Sequence, residues 1–452
     1  MSYSNINDLI SKFDKTGELL SNYEDIEISD HIHTGNYLFN AHISGSLLRG
    51  FPIPKAMCIA GDPKTGKSYL LLNMCREAQK MGYFVWLIET EGSPDKSRLE
   101  NQNIDFDNMR ISQPDSISEV QAMILPFLKD IKNSKKEDRP KVIIAIDSIS
   151  GLSSQKVFSD TDKGKVKTDM GTEAKEMGAL MKAMVPMAGK AGIPIIFTAH
   201  TYDKSDMFGN TTTIPSGGRK AIYMASIVTI LKKKQDKEYS NGSYVRKGIE
   251  VKSLLYEGRY SKPVDTSFYI SYIKGMNPYI GLHDYVSWDN CGIDKGSIKD
   301  LVDPLYEIYL NDKKSFNINN VLDGISITYE DLLSIVANNK KKSLKSSMEW
   351  MKDKGYMNEL DDGSWSFNKK IIDDRVTNAI PNKPTEKIAV PNPNSNVWVA
   401  KHLDQSFTFE AMFNEKVFTQ KVLQELDDNV IKNMFMFNES DYFEENEIWE
   451  NI

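Results

Sequence analysis

The stretch Gly61-Asp62-Pro63-Lys64-Thr65-Gly66-Lys67-Ser68 decides how this chain is read. It completes the pattern Gly-x4-Gly-Lys-[Ser/Thr], which average residue frequencies place by chance in about two of every hundred chains of this length. Its surroundings lower that further. An apolar run at residues 56–60 precedes it, and Leu70, Leu71, Met74 and Ala78 follow at helical spacing, the strand-loop-helix setting the pattern requires. The glycines let backbone N–H groups close on phosphate oxygens, and the helix N-terminus favours their charge. Lys67 would neutralise the outer phosphates and Ser68 would ligate magnesium. The expected cradle is therefore Gly61, Asp62, Pro63, Lys64, Thr65, Gly66, Lys67 and Ser68, with Tyr69 next to it. Its expected ligands are ATP and Mg2+.

Further apolar, strand-like runs at residues 84–88, 142–146 and 193–198 alternate with helical patterns as far as about residue 295. Such alternation predicts an α/β fold, a mostly parallel sheet flanked by crossover helices. Residues 228–256 read as two strands around Asn241-Gly242, a pair suited to a tight turn, so the sheet is expected to gain an antiparallel extension.

Three residues at strand ends carry candidate chemistry. The run at 142–146 ends in Asp147, placed to hold magnesium through water. The run at 84–88 leads into Glu89-Thr90-Glu91-Gly92, and Glu91 is the candidate general base for an attacking water; a surface acid in a loop is the plainer reading. His200 follows the run at 195–198 and could contact the γ-phosphate, although a histidine there is often merely satisfied by hydrogen bonds. A long polar segment, 202–218, then carries Met207-Phe208-Gly209-Asn210. Structureless segments of that length in a compact domain are usually functional or disordered.

The chain has 452 residues, of which 40% are hydrophobic, enough for two or three domains with ordinary cores. Cys58, Cys75 and Cys291 are too scattered for a zinc site and too few for a disulfide framework. No apolar run approaches the ~20 residues of a membrane span, and the N-terminus lacks the zones of a secretion signal, so the expected location is the cytoplasm. A formal charge of -7 argues against a surface that is basic everywhere but leaves room for local clusters.

The expected organisation has six pieces. Residues 1–45 form an N-terminal segment in which Ile6, Leu9, Ile10 and Phe13 make an apolar helical stripe for oligomerisation. The core runs over 46–295. An inserted piece at 296–380 reads as helix, basic helix and hairpin, the order of a winged helix: Thr328 caps the first helix, Leu344, Met348 and Met351 line the second, and Asp361-Asp362-Gly363 marks the turn. Lys340, Lys341, Lys342 and Lys345 could meet phosphates there, or simply form a solvated face. A proline-rich linker follows at 381–396, then a helical piece at 397–438. An acidic tail at 439–452 holds six carboxylates and no lysine or arginine. It is a solvated end or an electrostatic competitor for a basic DNA path.

Taken together, these residues resemble the RecA-type recombinases, and most closely the UvsX recombinases of tailed bacteriophages. The specific part is Asp169-Met170-Gly171, Ala199-His200-Thr201-Tyr202, Met207-Phe208-Gly209-Asn210 and Ser216-Gly217-Gly218, in that order. The resemblance implies a RecA-like phosphate-loop core with a smaller α/α+β C-terminal region, and a DNA-dependent ATPase that forms a helical filament on single-stranded DNA and pairs it with homologous duplex DNA. It implies that Glu91 activates water and His200 senses the γ-phosphate. The segments at 163–172 and 201–218 resemble the two DNA-binding loops. Met170 and Phe208 would then be apolar wedges, Gly209 and Asn210 would lie beside the wedge, and Lys163, Lys165, Lys167, Arg219 and Lys220 would contact phosphates. Lys252 matches a lysine that reaches ATP across the subunit interface. The second such lysine falls at Leu254, leaving Arg259 or Lys262 to substitute, and the aromatic that packs on adenine falls at Lys96. Phage mediator and single-strand-binding proteins are the partners implied, in an infected bacterial host cell, with no membrane. A hexameric replicative helicase shares the phosphate loop and both acids, but only a short segment precedes the core here. A filament-modulating paralogue without strand exchange is the non-enzymatic alternative.

Overall fold

A computed structural model of the chain describes Ile10, Lys12 and residues 28–92, 96–154, 170–205, 209–240, 243–300, 303–311, 317–336, 338, 341–369 and 387–437. The chain forms two compact units: Met1–Tyr285 with Leu423–Ile452, and Val286–Val422 between them.

The first unit is built on a nine-stranded sheet. Its elements in chain order are β1 (Asp30–Ile32), α1 (Tyr37–Ser44), β2 (Phe51–Ile53), β3 (Ala56–Gly61), α2 (Lys67–Lys80), β4 (Phe84–Glu89), α3 (Lys96–Asn101), β5 (Met109–Ser112), α4 (Ile117–Asn133), β6 (Val142–Asp147), α5 (Met170–Ala191), β7 (Ile195–Ala199), β8 (Thr201–Ser205), β9 (Thr211–Pro215), α6 (Arg219–Ile222), β10 (Ile227–Ser240), β11 (Ser243–Gly258), β12 (Thr266–Ser271) and β13 (Gly275–Met276). The sheet order is β13-β12-β11-β10-β3-β7-β6-β4-β5. From β10 to β5 every pairing is parallel. From β10 to β13 every pairing is antiparallel, as the sequence predicts, although the Asn241-Gly242 turn lies outside the described residues.

The parallel strands are covered on both faces, which is why they read as unbroken apolar runs rather than alternating ones. One core gathers Ile124, Leu128, Leu180, Met184 and Phe197 beneath α4 and α5; the other gathers Phe39, Leu70, Met74, Val85 and Phe268 beneath α1 and α2. Each fully buried side chain of this size contributes about 1.5–3 kcal/mol. Helix starts are fixed locally. Asn36 caps α1 by accepting from Phe39 N at 2.9 Å, and Ser116 caps α4 by accepting from Glu119 N at 3.3 Å.

Several boundaries differ from the expected ones. β1 and α1, placed by sequence in a separate segment at 1–45, belong to the core, because α1 is buried along almost its whole length. Of the expected oligomerisation stripe, Ile6, Leu9 and Phe13 lie outside the described residues and Ile10 is exposed. The core unit ends at Tyr285 instead of 295, and it regains the chain at Leu423. There α11 (Gln420–Leu426), a π-helical turn (Asp427–Ile431) and α12 (Lys432–Phe435) run in succession. Asp427 is the anchor: its buried carboxylate accepts from Ser46 Oγ and Leu47 N, both at 2.6 Å, and Phe435 O accepts from Lys262 N at 2.7 Å. The helical piece expected at 397–438 is therefore divided between the two units. The acidic tail at 439–452 lies outside the described residues.

The second unit holds two substructures. β14 (Ile293–Asp300) is flanked by β17 (Lys387–Pro391) and β18 (Trp398–Ala400), both antiparallel to it. The expected linker at 381–396 is thus partly a strand. Pro391 is tolerated because it is the last residue of β17, and Pro381 and Pro384 lie outside the described residues. The other substructure contains α7 (Pro304–Asn311), α8 (Ile318–Leu322), α9 (Tyr329–Ile335), α10 (Lys341–Asp353), β15 (Met357–Glu359) and β16 (Trp365–Phe367) around a core that includes Leu305, Leu332, Leu344, Met348 and Phe367.

Candidate functional site

The phosphate loop turns between β3 and α2, at the C-terminal edge of the parallel strands, where open α/β sheets bind ligands. Lys64 and Gly66 adopt left-handed backbone, with φ of 64° and 95°. A Cβ on Gly66 would stand 2.8 Å from Ile270 Cδ1, the end of a side chain that could shift, so it is the left-handed backbone that calls for glycine here. Lys67 Nζ donates to the carbonyls of Gly61 at 2.8 Å and Asp62 at 3.0 Å. Thr65 Oγ1 donates to Asp62 O at 2.8 Å, and Lys233 Nζ to Pro63 O at 2.6 Å. Burial pushes the Lys67 ammonium below its ordinary pKa, while Glu91, Asp147 and Asp62 oppose that shift.

A cleft of about 980 Å3 opens on this loop, lined among others by Lys67, Ser68, Tyr69, Glu91, His200 and Tyr272. Sequence reasoning missed one wall, the turn Ser271-Tyr272-Ile273-Lys274-Gly275 between β12 and β13. That wall is pinned to α2, because Tyr69 Oη accepts from Met276 N at 3.0 Å. Gly275 has φ of 71°, and a Cβ there would fall 2.5 Å from Tyr69 Oη. Tyr272 and Ile273 at the tip of this turn are exposed.

The acids behind the cleft are held by their neighbours. Asp147 Oδ1 accepts from Thr198 Oγ1 at 2.6 Å, which ties the ends of β6 and β7 together. Glu91 sits on a turn fixed from below by Glu89. The Glu89 carboxylate is 8% exposed and accepts from Glu91 N at 3.0 Å and Gly92 N at 3.1 Å. Ser148 Oγ donates to Glu91 Oε1 at 3.1 Å, and His200 Nε2 lies 3.2 Å from the same oxygen. A proton on Nε2 makes that contact a hydrogen bond and leaves Nδ1, buried and without a partner among the described residues, as an acceptor. Glu91, His200 and Lys67 therefore face one cleft, with Asp147 behind it.

The segment following His200 is a two-stranded hairpin. β8 pairs antiparallel with β9 from Thr201↔Pro215 to Ser205↔Thr211, and the β-branched run Thr211-Thr212-Thr213-Ile214 suits it to that conformation. Its base is bonded to the site twice. Thr201 Oγ1 donates to Asp62 Oδ1 at 2.6 Å. Ser216 N donates to His200 O at 2.8 Å, while Ser150 Oγ lies 2.7 Å from Ser216 Oγ and accepts from His200 N at 3.0 Å.

The remaining sequence-predicted residues are spread around this hairpin. Gly209 and Asn210 are exposed at its far end, whereas Phe208 lies outside the described residues, as do Lys163, Lys165 and Lys167. Met170 begins α5. Arg219 and Lys220 open α6, both exposed and next to Gly218. Lys252 does not line the cleft of its own chain; its ammonium forms an ion pair with Asp265 Oδ2 at 2.8 Å. Lys96 Nζ stands 5.6 Å from the centroid of the Phe106 ring, so the side chain at that position is a cation with an aromatic ring beside it. Lys262 is spent at least in part on the C-terminal segment, its Nζ donating to Asn433 O at 3.4 Å.

Comparison with known proteins agrees with this arrangement. The family model described as the RecA N-terminal domain matches residues 5–277. Protein RecA of Mesomycoplasma hyopneumoniae is 28% identical over 230 residues, 50% of this chain and 64% of the relative. Protein RecA of Mycoplasma mobile is 26% identical over 261 residues, 57% of this chain and 73% of the relative. The "Recombination and repair protein" of Enterobacteria phage T4 is 26% identical over 258 residues, 56% of this chain and 63% of the relative. The chain thus spans less than two thirds of the length of the first and third of these relatives. With a family match over more than half its length and a phosphate loop feeding the sheet order described above, the chain belongs to the RecA family.

Proposed function

We propose that the chain is an ATP-dependent recombinase, which assembles as a helical filament on single-stranded DNA, pairs that strand with a homologous duplex and exchanges strands. The observation that carries this reading is the pair of hydrogen-bonded links between the nucleotide cleft and the base of the β8–β9 hairpin. One runs from Asp62 to Thr201 and the other from Glu91 through His200 to Ser150 and Ser216. A nucleotide hydrolase with no use for the hairpin has no need of two such links.

The residues present fit ATP and magnesium. Lys67 is held by backbone carbonyls that phosphate oxygens can replace, and Ser68 opens α2 beside it. Asp147 is fixed by Thr198 behind them. Magnesium, when bound, neutralises charge on the phosphates. Glu91 takes the proton of the attacking water, its carboxylate oriented by Ser148 and His200. Because His200 contacts the same carboxylate oxygen, a group that displaces it from Glu91 also moves the base of the hairpin. That movement is the proposed signal to grip DNA.

Gly209, Asn210, Arg219 and Lys220 are the proposed DNA contacts among the described residues, joined by Met170, Phe208, Lys163, Lys165 and Lys167. Lys252 is proposed to serve the ATP of a neighbouring copy, leaving Asp265 when filaments form. A relative named for recombination and repair in phage T4 supports work in recombination and repair inside an infected bacterial host cell; a part in replication, and mediator and single-strand-binding proteins as partners, belong to the same proposal. No described helix is long and apolar enough to cross a membrane.

ATP hydrolysis measured with and without single-stranded DNA, together with electron microscopy of the same samples, tests the reading. Stimulated turnover on ATP-dependent open filaments is the expected result. Closed rings would assign the chain to the helicases, and filaments that bind ATP without DNA-stimulated turnover would make it a modulating paralogue.

A further inference from the structure

The second unit carries a charge pattern for which the nucleotide site has no use. Within it the chain runs helix, β-bridge, helix, helix, hairpin: α8, then Ile327, then α9, α10, β15 and β16. Ile327 joins the two-stranded sheet through a β-bridge, since its N–H and that of Trp365 each donate to the other's carbonyl at 2.8 Å. All five pieces share one core, in which Val321, Ile327, Leu332, Leu344, Met348, Met357 and Phe367 meet. This is a winged-helix arrangement, with α10 in the place of the helix that enters a groove.

α10 buries Leu344, Ser347, Met348 and Met351, which leaves Lys341, Lys345, Glu349 and Lys352 on its other side. Charge along this stretch is segregated. Residues 332–348 contain four lysines and no acid, whereas Glu349, Asp353, Glu359, Asp361 and Asp362 crowd the stretch that follows. Lys352 belongs to that acidic end, paired with Glu359 Oε2 at 2.7 Å and lying over the Trp365 ring. The lysines at the start of α10 work against the helix, whose N-terminus already carries partial positive charge. α9 obeys the usual rule in the same module: Thr328 caps it, and Glu330 and Asp331 occupy its first turn. A local rule broken beside one that is kept points to a charge placed for a ligand. A further cation arrives from another element, because Lys299 of β14 brings Nζ to 3.4 Å from Ser346 Oγ on α10.

We infer that this face of the second unit, built by Lys299, Lys341 and Lys345, binds double-stranded DNA, with the first turns of α10 in the major groove. A duplex is favoured over a single strand because sequence-tolerant single-strand binding needs aromatic platforms for the bases. Here the tryptophans beside α10 are engaged elsewhere, Trp350 against Tyr356 and Trp365 beneath Lys352. The acidic hairpin tip, with Asp361 and Asp362, keeps the wing off the phosphates, so the contact falls to α10 and to Lys299 beside it. The site goes beyond the filament reading and needs no nucleotide.

The test uses the full chain without ATP, a labelled 30-base-pair duplex, excess unlabelled oligo(dT) and a salt titration. The triple variant K299Q/K341Q/K345Q should bind the duplex at least tenfold more weakly, with the slope of log K against log salt smaller by about 2–3. The triple variant to arginine should bind as the parent does. Lys67→Ala should leave this binding intact, which separates it from the nucleotide site. A parent chain that fails to bind the duplex, a glutamine variant within twofold of the parent, or an arginine variant as weak as the glutamine one would each overturn the inference.

Discussion

Thr201 Oγ1 donates a 2.6 Å hydrogen bond to Asp62 Oδ1, joining the first residue of the β8–β9 hairpin to the phosphate loop. The bond is charge-assisted, and such bonds contribute about 1.5–3 kcal/mol. Thr201→Val keeps the β-branched shape and removes only the donor. The ratio of DNA-stimulated to basal ATP turnover is expected to fall by roughly tenfold, the equivalent of about 1.4 kcal/mol. An unchanged ratio would leave the His200–Glu91 contact to carry the coupling between the nucleotide cleft and the hairpin.

Glu91→Gln retains the hydrogen-bonding shape of the side chain and loses its basicity. Turnover of ATP is expected to drop by about 10²–10⁴-fold while nucleotide and single-strand affinities stay within severalfold of the parent. Single-turnover kinetics separate the two effects. Equal turnover in parent and variant would return Glu91 to the status of a surface acid.

His33 and His42 give the core a dependence on pH. Burial pushes both imidazoles down to about 4, opposed more weakly by Glu77 at His33 and, at His42, by the hydrogen bond to Val264 O and then by Asp265. Both are neutral in the folded chain and titrate near 6.5 when unfolded, so the unfolded state binds more protons below that value. Their contribution to stability is complete above about pH 6.5 and is lost as the pH falls towards 4, at about 2 kcal/mol for each group by pH 5. Urea unfolding at pH 7.5 and pH 5 measures the loss. His42→Gln should lower stability at pH 7.5 and also reduce the difference between the two pH values. A difference that survives unaltered would locate the sensitivity elsewhere.

Asp427 anchors the returning chain from a site where its side chain is 1% exposed. Replacing it with Asn leaves Ser46 Oγ and Leu47 N without the charged acceptor they share. The expected loss is about 2 kcal/mol, read as a fall of roughly 4–8 °C in the melting temperature of the core. A melting temperature within one degree of the parent would show that the C-terminal helices are held by Phe435 and its neighbours instead.

How much of this was legible in the sequence depended on how far each determinant lies along the chain from what it controls. The phosphate loop, the apolar strand runs and the candidate acids were readable because a strand buried on both faces, and the turn that follows it, leave a continuous local trace. The hairpin at 201–215 was not: Tyr202, Asp203 and Lys204 are exposed polar residues, and only pairing with Thr212, Thr213 and Ile214 makes them a strand. Asp427 looks like any acid in a polar helix, and its importance comes from Ser46, far away in sequence. Tyr272 and its turn escaped notice because the cleft wall they form is defined by Tyr69, on another element. For Lys252 the trace of a strand was clear, but its pairing with Asp265 came from the loop between β11 and β12.

The core's chain leaves at Tyr285 and returns at Leu423, so Val286–Val422 is topologically a loop of the first unit. A loop held shut by its own fold imposes a far smaller entropic toll on its host than the same residues as free coil. Melting of the inserted unit would therefore loosen the anchorage of Asp427 even with every contact in the core intact, and a protease nick inside the insertion would turn an intramolecular embrace into a bimolecular one.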